Sequence, residues 1–221
     1  RTMDLSYIVR IVPALLRGAG VTLALFALVF PLSLPLGFLI TLCANCRFKP
    51  VKWLAEAYIF VMRGTPLMLQ LFFFYYGLPF LPGIGQYLRL SSFAAAALSF
   101  TLNYAAYFAE IFRGGLLSID RGQYEVSHVL GLTSFQTMTR IIIPQMIRVT
   151  LPSIGNEAIT LVKDTALVAS IALPELLHYA KGIVTRDFTT TPFIVAAFIY
   201  LLITFVVTVL FKFAERKTNY E

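Results

Sequence analysis

At 221 residues, 58% hydrophobic and only 13% charged, with a mean hydropathy of +0.79, the chain carries more apolar surface than a water-soluble domain of its length can hide, so lipid is its expected solvent. The net charge of +7 is no argument for nucleic acid, because Lys and Arg also collect in the cytoplasmic loops of membrane proteins. Cys43 and Cys46 have neither the βαβ surroundings of a redox pair nor the four ligands of a zinc site, and read as small residues closing the first span.

The chain begins RTMDLSYIVRIVPALLRGAG, which lacks the pattern of a cleavable signal. Arg10 and Arg17 fall on one helical face, so this stretch is expected to be an amphipathic helix lying on the membrane and leading into the first span. A spanning helix needs about 20 mostly apolar residues. Three charge-free runs satisfy this, at 19–44, 91–109 and 188–211. Two interrupted runs add 53–80, with Glu56 and Arg63, and 149–173, with Glu157, Lys163 and Asp164. The expected fold is therefore all-α, one membrane domain over 1–221 with five spans. Pro31 and Pro35 should bend the first of them. The aromatic run LFFFYYG, 71–77, reads as lipid-facing Phe with Tyr at the interface, rather than as a ring-stacking site. A short interfacial helix is expected over 175–183, with His178 as a surface residue.

With the N-terminus outside, the inner segments carry ten basic residues and the outer segments six, which favours N-out, C-in. The three N-terminal arginines, Arg1, Arg10 and Arg17, argue the other way.

Between the third and fourth spans lies a polar insert, 113–144, that belongs on the inner side. Asp120 with Gln123 three residues on resembles a capping box, and 121–130 forms a helix with Val126, Val129 and Leu130 on one face. Gly131 suits a left-handed stop. Thr133 with Gln136 starts a second helix with Phe135, Met138 and Ile142 on its apolar face, and Pro144 lacks the N–H to continue it regularly. Helices this short are not stable alone in water, so the elbow must pack on the span ends and on a partner protein.

The spacing Glu125-Val126-Ser127, then Gly131, then Ile141-x-Ile143-Pro144 resembles the EAA loop of bacterial ABC importer permeases: E-A-A, three residues, G, nine residues, I-x-L-P. Val-Ser stands for Ala-Ala and Ile for Leu, changes that leave the helix–Gly–helix geometry intact. MRGTPLMLQLFFFYYGLP (62–79), AYFAEIFRGGLLSIDRGQYE (106–125) and LPSIGNEAITLVKDTALVASIALPELL (151–177) are similar to permeases for polar amino acids such as histidine, arginine, glutamine and cystine. The resemblance implies a type I importer permease in the cytoplasmic (inner) membrane. It implies a second permease subunit, identical or related, two ABC ATPase subunits and an extracytoplasmic solute-binding protein. Glu125, Val126, Ser127, Gly131 and Pro144 are then the ATPase-coupling residues. The chain has no G-x-x-x-x-G-K-[ST] phosphate loop, so ATP and Mg are expected on the partner ATPase and no cofactor on this chain.

Charges within a bilayer persist where they meet water, a partner or a solute. In the fourth span Ser153, Glu157, Thr160 and Asp164 are spaced 4, 3 and 4 and share one helical face, with Glu157 and Asp164 roughly 10 Å apart along the axis. Lys163 lies on the adjoining face. Charges of both signs suit a zwitterionic amino acid; alternatively, Lys163 and the acids pair with each other or with Arg63 and hold the bundle together. Arg63-Gly64-Thr65-Pro66 loosens the second span, because Pro66 removes the hydrogen bond to the Met62 carbonyl. That carbonyl is then free for a solute or for Lys163, unless the kink serves packing alone. Asn103 is a further polar candidate, and Glu110 is expected to pair with Arg113 or Arg148. The substrate-path candidates are thus Arg63, Gly64, Thr65, Asn103, Glu157, Thr160, Lys163 and Asp164.

A gradient-driven secondary transporter or channel is the second functional class these charges fit. A membrane enzyme is the third, and no metal-spaced cluster or nucleophile pairing supports it.

Overall fold

Long apolar runs without a terminating signal make long helices, and a computed structural model describes residues 5–219 as helices joined by short connections. Helix α1 is Leu5–Ala44, followed by α2 (Lys49–Gly64) and α3 (Leu67–Phe72), which continues through a π turn at Phe73–Gly77. Then come α4 (Ser92–Ser118), α5 (Arg121–Val129), α6 (Ser134–Thr137), α7 (Ile143–Asp164), α8 (Leu176–Asp187) and α9 (Thr191–Asn219). By length and apolarity α1 and α9 can each cross a bilayer, and the bent pair α2–α3 makes a third candidate. In α4 and α7 the polar residues Asn103, Glu157, Thr160 and Asp164 line a cavity, as described below.

The amphipathic stretch expected to lie on the membrane is not a separate element. From Leu5 onward it is continuous with the first span, and Ile11 and Leu15 pack against Leu176, Ala180 and Ile183 of α8. The close approach explains this, since a Cβ at Gly18 would come within 2.7 Å of the Leu176 backbone. At the same end the Tyr7 hydroxyl donates to Asp187 at 2.7 Å and the Arg186 guanidinium donates to both its oxygens. Chiefly through Arg186, this holds the Asp187 carboxyl well below the usual carboxylate range. Arg1 lies outside the described residues.

Helix α4 is the axis of the bundle. Its small residues, Ala95, Ala96 and Ser99 among them, let neighbouring backbones come close. Thr41 of α1 donates both to Gly37 O and across to Ala109 O, at 2.9 and 3.0 Å. Tyr58 of α2 donates to Leu102 O at 2.6 Å. The core around α4 is aromatic and aliphatic: Phe100, Tyr104, Phe108, Leu25, Met146 and Leu161 are all essentially inaccessible. On the outer connection α8 starts from Glu175, whose buried carboxylate accepts from the Leu177 and His178 amides and the Tyr200 hydroxyl. His178 is half-buried on α8.

Candidate functional site: a charged cavity and an exposed elbow

The second expected span is broken rather than merely kinked. The residue before a proline is driven out of the helical region, and Thr65 is extended at φ −115°, ψ 145°, so that α2 and α3 meet at 103°. The break exposes the Met62 carbonyl. It meets neither Lys163 nor open space, because Gln70 and Asn103 both donate to it, each at 2.9 Å. Asn103 also donates to Gln70 Oε1 at 3.1 Å, and Gln70 donates to Thr65 Oγ1 at 2.8 Å. Buried amides thus fix the shape of the break. Asn103→Ala removes one donor to Met62 and leaves Gln70 Oε1 short of a partner; it is expected to destabilise the protein by about 1–3 kcal/mol, seen as a lowered thermal midpoint in detergent.

Beside the break lies a cavity of about 380 Å³, within the roughly 300–1,000 Å³ usual for small-molecule sites. It gathers Arg63, Gly64 and Thr65 from α2 and its cap, Asn103 from α4, and Glu157, Thr160 and Asp164 from α7. Of the substrate-path candidates only Lys163 is elsewhere. It is exposed on another face of α7, and among the described residues it makes no ion pair within 4 Å with Glu157 or Asp164. Adjacent residues on a helix differ by about 100°, which turns Lys163 out where Asp164 turns in. The cation in the cavity is Arg63.

Two tyrosines escaped the sequence reading. Tyr104 donates to Asp164 Oδ2 at 2.7 Å, and the Arg63 guanidinium lies 5.4 Å from the Tyr107 ring centroid. Their signal was present: Tyr104 and Tyr107 follow Asn103 by one and four residues in a mostly apolar run, and the spacing of four puts Tyr107 on the face of Asn103. Gln70 is likewise the one amide in its apolar stretch. No residue of the aromatic run 71–77 lines the cavity.

The polar insert forms an elbow. The Asp120 side chain accepts from Gly122 N at 2.6 Å. The return arm of the expected capping box is not made, since Gln123 Oε1 instead accepts from Gln145 of α7 at 3.1 Å. Gly131 has φ +72°; its amide donates to His128 O and that of Leu132 to Ser127 O, each at 3.0 Å. These are the paired bonds of a Schellman stop. Thr133 and Gln136 form the complete reciprocal cap of α6. The second arm does not end at Pro144. A π turn, Met138–Ile142, carries it into α7, where Pro144 occupies the first turn and no N–H is required of it.

Ser127 and Ile142 are buried inward, whereas Val129 is 85% and Phe135 76% exposed, with Val126, Leu130 and Glu125 also exposed. A hollow of about 590 Å³ runs between the arms, lined by Tyr124, His128, Leu132 and Met138. The expected apolar face of the second arm is therefore divided: Ile142 serves the bundle and Phe135 faces out.

An oppositely charged hollow among membrane helices, joined to an elbow that leaves large apolar side chains bare, is the arrangement of a transport subunit rather than an enzyme. The chain belongs to the family described as binding-protein-dependent transport system inner membrane component, which it matches over residues 33–220. It is similar to the arginine transport system permease protein ArtQ of Bacillus subtilis (strain 168), 36% identical over 217 residues, 97% of each chain. The L-cystine transport system permease protein TcyB of the same organism is 35% identical over 94% of this chain and 87% of its own. Among solved structures, an amino acid ABC transporter crystallised with histidines matches with a TM-score of 0.88 and 34% identity, covering 98% of this chain and all of that one. The MetNI methionine ABC transporter, at 20% identity and a TM-score of 0.74 over 93% of this chain and 96% of its own, shares the fold. The protein is accordingly an all-α permease subunit of a type I ABC importer, resident in the inner membrane.

Proposed function

We propose that this permease carries polar amino acids along a path walled by the cavity between α2, α4 and α7. The observation that carries the reading is the charge set of that cavity: the Arg63 guanidinium faces the carboxylates of Glu157 and Asp164 across one hollow. An α-carboxylate is drawn to Arg63 and an α-ammonium to one acid. The second acid is left for a cationic side chain, as in arginine, lysine or histidine. The names of relatives that handle arginine and cystine support the class.

In this reading five spans cross the bilayer, with the N-terminus outside and the C-terminus cytoplasmic. Two permease chains, identical or related, form a two-fold assembly with two ABC ATPase subunits and receive solute from an extracytoplasmic binding protein. ATP and Mg reside on the ATPase, and this chain holds no cofactor. The bare apolar residues Val126, Val129, Leu130 and Phe135, with Glu125 beside them, are the docking face. Nucleotide-driven closure of the ATPase pair moves the elbow, and the bundles rock to expose the cavity to alternate sides.

The test is purification of the assembled complex, mass spectrometry of its bound solute, and uptake in vesicles. The expected result is an amino acid in the complex and uptake that requires ATP. Uptake driven by an ion gradient with no ATPase attached would place the chain among secondary transporters or channels.

A further inference from the structure

Arg63 is shared between two sites. It lines the cavity, and its Nη1 also lies 3.7 Å from Glu110 Oε2 on α4. Glu110 does not line the cavity. Its closer partner is Arg113, one turn on, which approaches the same Oε2 to 2.6 Å and donates from Nε to both oxygens at 3.2 Å. Arg113 lies in the last part of α4, seven residues before Asp120, the cap of the elbow's first arm. Arg63, Glu110 and Arg113 therefore make a charged chain that runs from the solute hollow along α4 toward the end that leads into the elbow. Its two links are unequal. Arg63 holds Glu110 at the loose limit of an ion pair, with its guanidinium also resting over the Tyr107 ring. Arg113 holds it closely. A carboxylate entering the cavity competes for the loosely held guanidinium and has little to displace.

We propose that Glu110 is a positioning residue that couples cavity occupancy to the elbow: when a solute carboxylate takes Arg63, Glu110 is left to Arg113 alone, and the change is carried along α4 to the elbow that follows it. The inference rests on the amino-acid reading above and deepens it by naming the route of the solute signal. Physically it needs only that two cations compete for one carboxylate. Removing the negative charge of Glu110 breaks the link at its centre without substituting any cavity-lining residue.

The test uses the full complex of permease, ATPase and solute-binding protein in liposomes, with ATP hydrolysis measured with and without amino acid. Glu110→Gln is expected to keep the unstimulated rate and to lower the stimulation ratio at least about fivefold, the lower end of ordinary coupling between sites. Arg113→Gln should do the same, and Glu110→Asp, which keeps the charge, should restore part of the ratio. Should Glu110→Gln fail to assemble, Arg113→Gln, whose side chain is about half exposed, decides by the same ratio. A wild-type ratio in either glutamine variant overturns the relay alone. A wild-type complex that no amino acid stimulates overturns the cargo assignment, and the relay with it.

Discussion

Gly131→Pro is expected to abolish ATP-dependent uptake and solute-stimulated hydrolysis while leaving the membrane bundle folded. The native residue sits at φ +72°, whereas proline is locked near −65°. The substitution also deletes the amide that donates to His128 O, one of the two bonds ending α5. A cost of about 3 kcal/mol or more falls on a turn with too few contacts of its own to absorb it. No atom lies within 4 Å of a Cβ built at Gly131, so the damage is to backbone direction and not to packing. The two arms lose their fixed angle, and the exposed apolar residues no longer present one surface. Gly131→Ala needs only the left-handed conformation, at about 1–2 kcal/mol, and should retain part of the coupling. Membrane yield, thermal midpoint and hydrolysis with and without solute make the measurement. Normal stimulation in the proline variant would refute the role given to the elbow.

The second large effect is expected at Glu157. Glu157→Ala removes one of two acids from the cavity and leaves Arg63 and Asp164 in place. A hydrogen bond to a charged group is worth about 1.5–3 kcal/mol, so the KM for cationic amino acids should rise roughly tenfold or more. Neutral amino acids, which need one acid for the ammonium and none for the side chain, should be affected less. Uptake compared across arginine, histidine and glutamine separates the cases. An equal change for all three would count against contact between Glu157 and the solute.

The elbow was legible in the sequence because its signals are local. A cap at Asp120, a glycine at 131 and a reciprocal Thr133–Gln136 pair each act over a few residues. The inward face of α7 was legible for a similar reason, since the spacing of Glu157, Thr160 and Asp164 fixes a face wherever the helix packs. What lay across the cavity was not legible. That Met62 O would be taken by Gln70 and Asn103, and that Arg63 rather than Lys163 would supply the cation, depends on how far α2 turns at Pro66. A proline announces a break and not its angle. The arginines at 10 and 17 suggested a helix lying on the membrane and leading into the first span, because charges usually mark a membrane surface. The structure leaves both exposed on one side of α1 and buries Ile11 and Leu15 on the other, against a helix some 165 residues away in sequence. Pro144 was read as unable to continue the second helix regularly, and the helix passes it only through a π turn placed just before it, which accommodates the missing amide.

That turn has a mechanical consequence. From Ser134 to Asp164 the backbone is one uninterrupted strut, roughly 45 Å long at 1.5 Å per residue. One tip bears the exposed Phe135, and the far part carries both carboxylates. A sideways shove at the tip would therefore arrive at the acids as tilt, with two soft rivets, the π turn at Met138–Ile142 and Pro152 within α7, where the stroke can be lost.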